Sequence, residues 1–337
     1  MLAAVTAALA WFVHGQLRAQ SFDWKLAAAT FGRLRWPWLL LSLAPLAGNY
    51  YFRALRWAVF LKPLKARPSL RNLLSATVIG FAAITLFGRP GEFVRPYLIA
   101  VKERVPLTSQ LAAWLLERIF DLLMVLLIFG FALSRVQVSH VHVGPKLTWV
   151  LTFGGRIVAF TCLALLAAVL SLRHFAEPVR RRLTSAVRFL PEARFRRIET
   201  WIAAFVEGAA STRSDGALLL VLLYSILGWA SIAATFWCLT QSFAGVITLT
   251  FVDVIIFLGF VSFGAAVQIP GIGGGLQVVA VLVLTELFHV RLELASALAM
   301  MLWFITFVAV VPVGLGLALK EGLDWRSLRR IGRGAVE

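Results

Sequence analysis

The sequence predicts an all-α integral membrane protein with about six full transmembrane helices and two oppositely oriented re-entrant hairpins in an inverted repeat. Three observations carry this. The 337 residues are 60% hydrophobic and only 15% charged, where a soluble protein of this size carries about 25% charged residues. Several apolar stretches are long enough for membrane helices. Two further apolar regions are each interrupted near the centre by Pro-Gly.

In chain order, the candidate helices are 1–16, 37–60, 107–133, 147–172, 216–240 and 293–319. The opening MLAAVTAALAWFV lacks the basic residues that would precede a signal peptide's apolar run. It is read as a first helix whose upstream end lies outside the sequence given. The two interrupted regions are 70–103 and 252–288.

The net charge is +17 and the pI about 11.3. The basic residues cluster in loops between apolar segments instead of forming a folded soluble face. That pattern reads as topology and contact with anionic lipid heads, and not as nucleic-acid binding. Segment 53–71 has six Lys and Arg, 173–215 has nine, and the tail from 320 has five. Segment 134–146 has two, 289–294 one and 241–252 none. Basic loops face the cytoplasm, which puts the first three inside and the last three outside. Segment 17–36 dissents, with four basic residues on the predicted outer side.

This assignment constrains the interrupted regions. If 70–103 crossed once, the nine-charge loop would lie outside. If it enters and returns, the later loops fall on their correct sides up to 241–252. The same parity requires 252–288 to enter and return from the opposite face. Each hairpin is either re-entrant or a pair of short crossings, and counting does not separate these.

A repeat supports the pairing. The chain has two Pro-Gly dipeptides, Pro90–Gly91 and Pro270–Gly271, and a Gly-Phe precedes each at a similar spacing (Gly80–Phe81 and Gly259–Phe260). The order helix, helix, hairpin, helix occurs in 1–133 and again in 147–319. The whole chain is thus one transmembrane domain with two inverted halves, a basic cytoplasmic loop 173–215 and a basic cytoplasmic tail 320–337. Inverted repeats with broken helices are a transporter layout, with the substrate near the midplane.

Three motifs carry the candidate site. In LFGRPGEFVRPYLIA (86–100), Arg89, Glu92 and Arg95 cluster at the first break. Pro96 disfavours α conformation at Arg95, which predicts an extended, arginine-bearing tip. Arginine makes forked hydrogen bonds to phosphate; an ordinary cytoplasmic loop with a solvated Arg–Glu pair is the alternative. In IPGIGGGLQ (269–277), Gly271, Gly273, Gly274 and Gly275 precede an apolar run. Backbone N–H groups at such a helix start form an anion site without side-chain charge; a flexible packing turn is the alternative. In WLLERIFDLLMV, Glu117, Arg118 and Asp121 lie about 15–20 Å along their helix, within the apolar layer. Charges there are costly unless they face the interior and pair. Glu117 and Asp121 share a face, and Arg118 is three residues from Asp121. They form either a structural ion-pair cluster or a cavity wall that meets a lipid head or couples proton movement. Arg156 is a lesser candidate of the same kind.

The remaining residues suggest no other chemistry. Cys162 and Cys238 sit in apolar segments, the five histidines show no metal spacing, and no nucleophile set is visible. No cofactor or metal is expected. Trp24, Trp36, Trp38, Trp57 and Trp149 fit an aromatic belt at helix ends. The basic stretch 177–197 reads as an amphipathic surface segment.

With these motifs in hand, the chain resembles the transmembrane region of lysylphosphatidylglycerol synthases, a family of flippase-like membrane proteins. The resemblance rests on GRPGEFVRPYLI (88–99), LLERIFDLL (115–123) and IPGIGGGLQ (269–277), in that order. It implies movement of a modified phospholipid or lipid-linked sugar between leaflets of the cell membrane. Some relatives carry a soluble aminoacyltransferase after this region; with the chain ending at Glu337, no synthase activity is expected. Many members read like PGGLGxxE at the second break. Here Gln277 stands near the acidic place, with no carboxylate until Glu286, so the resemblance carries no carboxylate-dependent step to that position.

The expectation is a transporter and not an enzyme. A membrane enzyme or accessory subunit acting on a lipid-linked substrate in cell-envelope synthesis, with Glu117 or Asp121 as base, is the alternative, and an ion-coupled small-solute transporter a third reading. Its predicted binding residues are Arg89, Glu92, Arg95, Glu117, Arg118, Asp121, Gly273, Gly274, Gly275 and Gln277. Its expected partners are lipids with anionic heads. A second copy of the chain, or a separate lipid-modifying enzyme, is left open.

Overall fold

The computed structural model describes residues 23–138, 160–161, 163–164, 167, 184–185, 192, 196, 198–200, 214–264, 268–269 and 273–322. The predicted helices 1–16 and most of 147–172, with Arg156, Cys162, the two histidines His140 and His142, Trp149 and most of 177–197, lie outside the described residues. So do Pro270 and Gly271.

The described chain is helical. In order come α1 (Trp24–Gly32), α2 (Trp36–Leu41), α3 (Leu43–Leu61), α4 (Leu70–Phe87), a 3₁₀ turn (Arg89–Phe93), α5 (Val94–Glu103), α6 (Leu107–Val138), α7 (Asp215–Ser242) and α8 (Phe251–Gly264). A two-residue antiparallel ladder comes next, β1 (Gln268–Ile269) with β2 (Gly273–Gly274). Then come α9 (Gly275–Glu286), α10 (Leu292–Trp303), a π turn (Phe304–Val308) and α11 (Val310–Lys320).

Three helical stretches are long and apolar enough to cross a membrane: Leu70–Phe87, Asp215–Ser242 and Leu292–Lys320. At 32 residues α6 is longer than any of these, but Glu117, Arg118 and Asp121 interrupt its apolar run.

Local chemistry sets the boundaries. The predicted helix 37–60 is divided at Ser42 because Pro45 lacks the N–H that would bond Leu41 and its ring crowds that carbonyl. The Ser69 hydroxyl accepts from Asn72 N–H and caps α4. Gly88, with φ of 70°, ends α4 in a conformation that favours glycine. Thr250 and Asp253 close a reciprocal capping box on α8, with Thr250 N–H donating to Asp253 at 2.8 Å and Asp253 N–H donating to Thr250 at 3.2 Å.

The chain divides into two compact units, one of 1–47, 128–142 and 231–310, the other of 48–127, 143–230 and 311–337. These interleave along the sequence, so they are a different partition from the two predicted halves. Compactness and internal symmetry are separate properties, and the one does not speak to the other.

In the first unit, α8 and α9 pack as a helix–break–helix pair, and α9 packs on α10. Gly259 lets α8 approach α6 closely: a Cβ there would lie 3.0 Å from the Ala132 methyl and 3.2 Å from the Ile128 carbonyl. Phe260 meets Phe129 edge to face, with centroids 5.1 Å apart.

In the second unit, α4, the 3₁₀ turn and α5 form the other helix–break–helix pair. Its apolar core includes Trp57, Phe60, Leu73, Ile79, Leu98, Ile99, Leu116 and Phe120. Gly91 is buried where the turn folds back on α4. The last helical run, Leu292–Lys320, starts in the first unit and ends in the second; its buried positions include Leu294, Leu298, Leu302, Ile305, Val310, Gly314 and Ala318. Its one five-residue step, Ile305 to Val310, coincides with the π turn, where Ala309 N–H donates to the Phe304 carbonyl.

Candidate functional site

The polar centre of the second unit is built on α3, α5, α6 and α7. Residues three and four apart on a helix share a face, so Arg53 and Arg56 on α3 point the same way, as do Glu117 and Asp121 on α6. Arg95 enters from the first turn of α5. The sequence reading makes this tip extended; instead Arg89–Phe93 is 3₁₀ and Arg95 is helical. Pro96 then occupies a first-turn position, where its missing N–H leaves no helical bond unmade.

Glu117 is shared by three arginines. Its Oε1 accepts from Arg56 Nη2 at 2.7 Å, Arg95 Nη1 at 3.0 Å and Arg53 Nη1 at 3.2 Å, and its Oε2 accepts from Arg95 Nη1 at 2.8 Å. Asp121 accepts from Arg53 and Arg56, both at 2.8 Å. Arg56 also donates to Ser225 on α7 at 2.8 Å, and Arg95 to the Arg53 carbonyl at 3.2 Å. The Arg56 side chain is 2% exposed.

Aromatic rings finish the enclosure. The Arg95 guanidinium lies 4.2 Å from the centre of the Trp57 ring, and the Arg53 guanidinium 5.3 Å from that of Phe81. Trp57 donates to Gln110 at 2.9 Å and is fully buried. It belongs to the core and not to an aromatic belt. Gly80 makes room for Arg95: a Cβ on it would lie 2.6 Å from the Arg95 Cβ.

Arg118 takes a different path from its neighbours. It pairs with Glu92 in the 3₁₀ turn at 2.7 Å, with side chains 45% and 21% exposed. Its guanidinium lies 5.7 Å from the Trp114 ring, which touches Phe93. The expected Arg118–Asp121 pairing gives way because Arg53 and Arg56 already occupy the two oxygens of Asp121. Arg89 is exposed at the start of the turn.

The predicted residues therefore form two sets in this unit: Arg95, Glu117 and Asp121 in the buried centre, and Arg118 with Glu92 at the hairpin break. Arg53 and Arg56 complete the centre and fall outside the predicted set. Their position at the end of an apolar run made them look like loop charges. The stripe Asn49, Arg53, Arg56, Phe60 was the available signal, since its spacing is that of one helix face. Their burial lowers the basic count of the following loop from six to four.

The glycine segment belongs to the first unit. Gly273 and Gly274 lie in the short ladder, opposite Ile269 and Gln268. Gly275 opens α9 and is buried, and Gln277 is half-buried in its first turn. Among the described residues no group of His, Cys, Asp and Glu has the arrangement of a metal site.

Buried arginines and carboxylates inside apolar helices, with a half-exposed pair at a helix break, mark a membrane protein with a polar interior. The profile of the family described as "Lysylphosphatidylglycerol synthase TM region" matches residues 2–314. The chain belongs to this family. Membership ties it to membranes and to lipid modification or translocation. A comparison with curated proteins gave no match.

Proposed function

We propose that this family member is a lipid translocase that moves a phosphate-bearing lipid, a modified phospholipid or a polyprenyl-linked glycan, between leaflets. The observation that carries the reading is the arginine–carboxylate centre on a broken hairpin, in helices otherwise apolar. Charges are retained in such places when they face a polar path and partner one another. Arg89 and Arg118 at the hairpin break and Arg95 in the buried centre meet the phosphate in turn along its path, while Glu92, Glu117 and Asp121 hold the arginines or meet an amine on the head group. Gly273, Gly274, Gly275 and Gln277 supply neutral donors at the second break.

In this reading the two helix–break–helix pairs are the re-entrant arms of an inverted repeat, with six full spans and the C-terminal tail in the cytoplasm. Two things support it: the first break occurs at Pro90–Gly91, and the basic loops keep their predicted bias after Arg53 and Arg56 are removed from the count. No covalent step is assigned; a separate enzyme would modify the lipid.

Reconstituted vesicles with labelled lipid in one leaflet test this. The parent is expected to equilibrate the leaflets, and folded Arg95→Ala and Arg118→Ala proteins to do so much more slowly. If both variants fold and match the parent, the residue assignment fails. A covalently altered lipid in the extract would instead indicate an enzyme.

A further inference from the structure

The buried centre of the second unit does not reach neutrality by itself. Arg53, Arg56 and Arg95 bring three positive charges, and Glu117 and Asp121 bring two negative ones. Arginine does not lose its proton to relieve the excess. Arg118 and Glu92 cancel each other and leave the sum unchanged. Ser225 is neutral. Among the described residues, no third carboxylate pairs with the three guanidinium groups. A charge buried without its counter-charge is among the costliest features a fold can hold.

Hydrogen bonding gives an independent indication. The Nε atoms of Arg53, Arg56 and Arg95 are all out of reach of solvent, and none has a partner among the described residues. Buried donors are nearly always satisfied. The same three side chains thus carry both the surplus charge and the surplus donors.

We infer that this centre binds one monovalent oxyanion, of the phosphate or phosphodiester class, on the Nε donors of Arg53, Arg56 and Arg95. Each Nε–H is an unused donor, and a tetrahedral oxyanion has acceptors for more than one charged donor of this kind. One negative charge neutralises the centre. Glu117 and Asp121 hold the guanidinium groups through their Nη atoms and leave the Nε donors to the anion. Arg53 and Asp121 keep side-chain exposures of 13% and 12%, so the anion enters on their side. The oxyanion can come from a lipid head group or from free phosphate. Only the former serves translocation, and to that extent the inference rests on the translocase reading.

The test uses the purified full chain, stripped of lipid, in a detergent with an uncharged head. Its melting temperature is followed against inorganic phosphate at constant ionic strength, short-chain phosphatidylglycerol, and short-chain diacylglycerol. Saturable stabilisation by phosphate and phosphatidylglycerol, or by phosphatidylglycerol alone, supports the site, the second result assigning the anion to the head group. No saturable response to either, or an equal response to diacylglycerol, overturns it. Arg53→Gln removes the surplus charge and is expected to abolish the response. Asp121→Asn raises the surplus to two, and the dissociation constant is expected to fall by about tenfold. A purely structural ion cluster does not give these opposite signs, so parallel effects of the two variants overturn the inference. If Asp121→Asn yields no folded protein, an unchanged phosphate response in Arg53→Gln overturns it alone. A parent that moves lipid without any saturable phosphate response refutes this site and leaves the translocase reading standing. A parent that binds phosphate and moves no lipid does the reverse.

Discussion

Replacing Gly91 with alanine should open the first hairpin. A Cβ at this position would lie 2.3 Å from the Ala83 carbonyl oxygen, 2.4 Å from its carbon and 2.6 Å from the Ile84 nitrogen. Ordinary contact begins at 3.4 Å, so the 3₁₀ turn has to move off α4 by about 1 Å or α4 has to bend. All three obstructing atoms are backbone, so no rotamer change relieves the clash. Overpacking of this kind costs about 1–3 kcal/mol, and a backbone obstruction puts Gly91→Ala at the upper end. A cost of about 3 kcal/mol corresponds to a fall in melting temperature of roughly 4 °C for a chain of this size. Movement of the turn also displaces Glu92 from Arg118 and shifts Arg95 at the buried centre. Lipid movement should therefore slow at temperatures where the variant is still folded. The assay is thermal unfolding of purified protein in detergent, paired with the leaflet measurement. Gly316→Ala is the control, because nothing lies within 4 Å of a Cβ there, and alanine in a helix interior is favoured over glycine by about 1 kcal/mol. A Gly91→Ala protein that melts with the parent and moves lipid at the parental rate would refute the packing argument.

Gly314→Ala, close in sequence to that control, should destabilise clearly, since its Cβ would meet the Ala82 methyl at 2.4 Å; equal melting of the two variants contradicts this. Glu117→Ala should cost about 3–5 kcal/mol by leaving buried arginines unpaired, whereas Arg118→Ala, which breaks a half-exposed pair, should cost about 1 kcal/mol or less; denaturation of both variants in parallel measures the difference. Glu103, at the end of α5 and outside the three membrane-capable stretches, has its carboxyl held below the usual range. Burial alone would raise it, but Lys65 at 2.7 Å, the Asn72 amide at 2.7 Å and the Ser69 N–H at 3.2 Å outweigh that. A depressed folded value means the stabilisation is full above the unfolded value of about 4.3 and is lost as pH falls through the folded one. The parent should therefore lose stability below about pH 4 more steeply than Glu103→Gln, and identical acid profiles would refute it.

Periodicity and helix breakers account for most of the legible fold. The α4–α5 break at Pro90–Gly91, the long α6 and the apolar α7 all sit close to their predicted bounds. Proline and glycine act locally, so their effects can be read without knowing the neighbours. The same holds for Glu117 and Asp121, whose spacing alone puts them on one face. Pairing was harder, because it depends on which helices meet. Arg118 could reach Asp121 along α6, but Arg53 and Arg56 arrive from α3 and take that carboxylate. Nothing in a charge count distinguishes an arginine in the last turns of a helix from one in the loop beyond it. Trp57 is subject to the same ambiguity: a tryptophan near a helix end looks interfacial until the helices beside it supply Gln110 and Arg95. The ladder at Gln268–Ile269 and Gly273–Gly274 was invisible because two-residue pairing leaves no alternation to detect.

The π turn in the last helix has a consequence for how chain length can drift. Each residue added to an α-helix rotates the downstream segment by about 100°, so an insertion or deletion in a packed helix normally carries the next segment onto the wrong face. Here the buried positions already take a five-residue step between Ile305 and Val310. Removing one residue from Phe304–Val308 would make that step four, which a regular helix accommodates with every later face preserved. Length variation is usually absorbed by loops at the ends of elements. In this chain the middle of an apolar helix is equally able to absorb it, and homologues one residue shorter there would align with a gap where no loop exists.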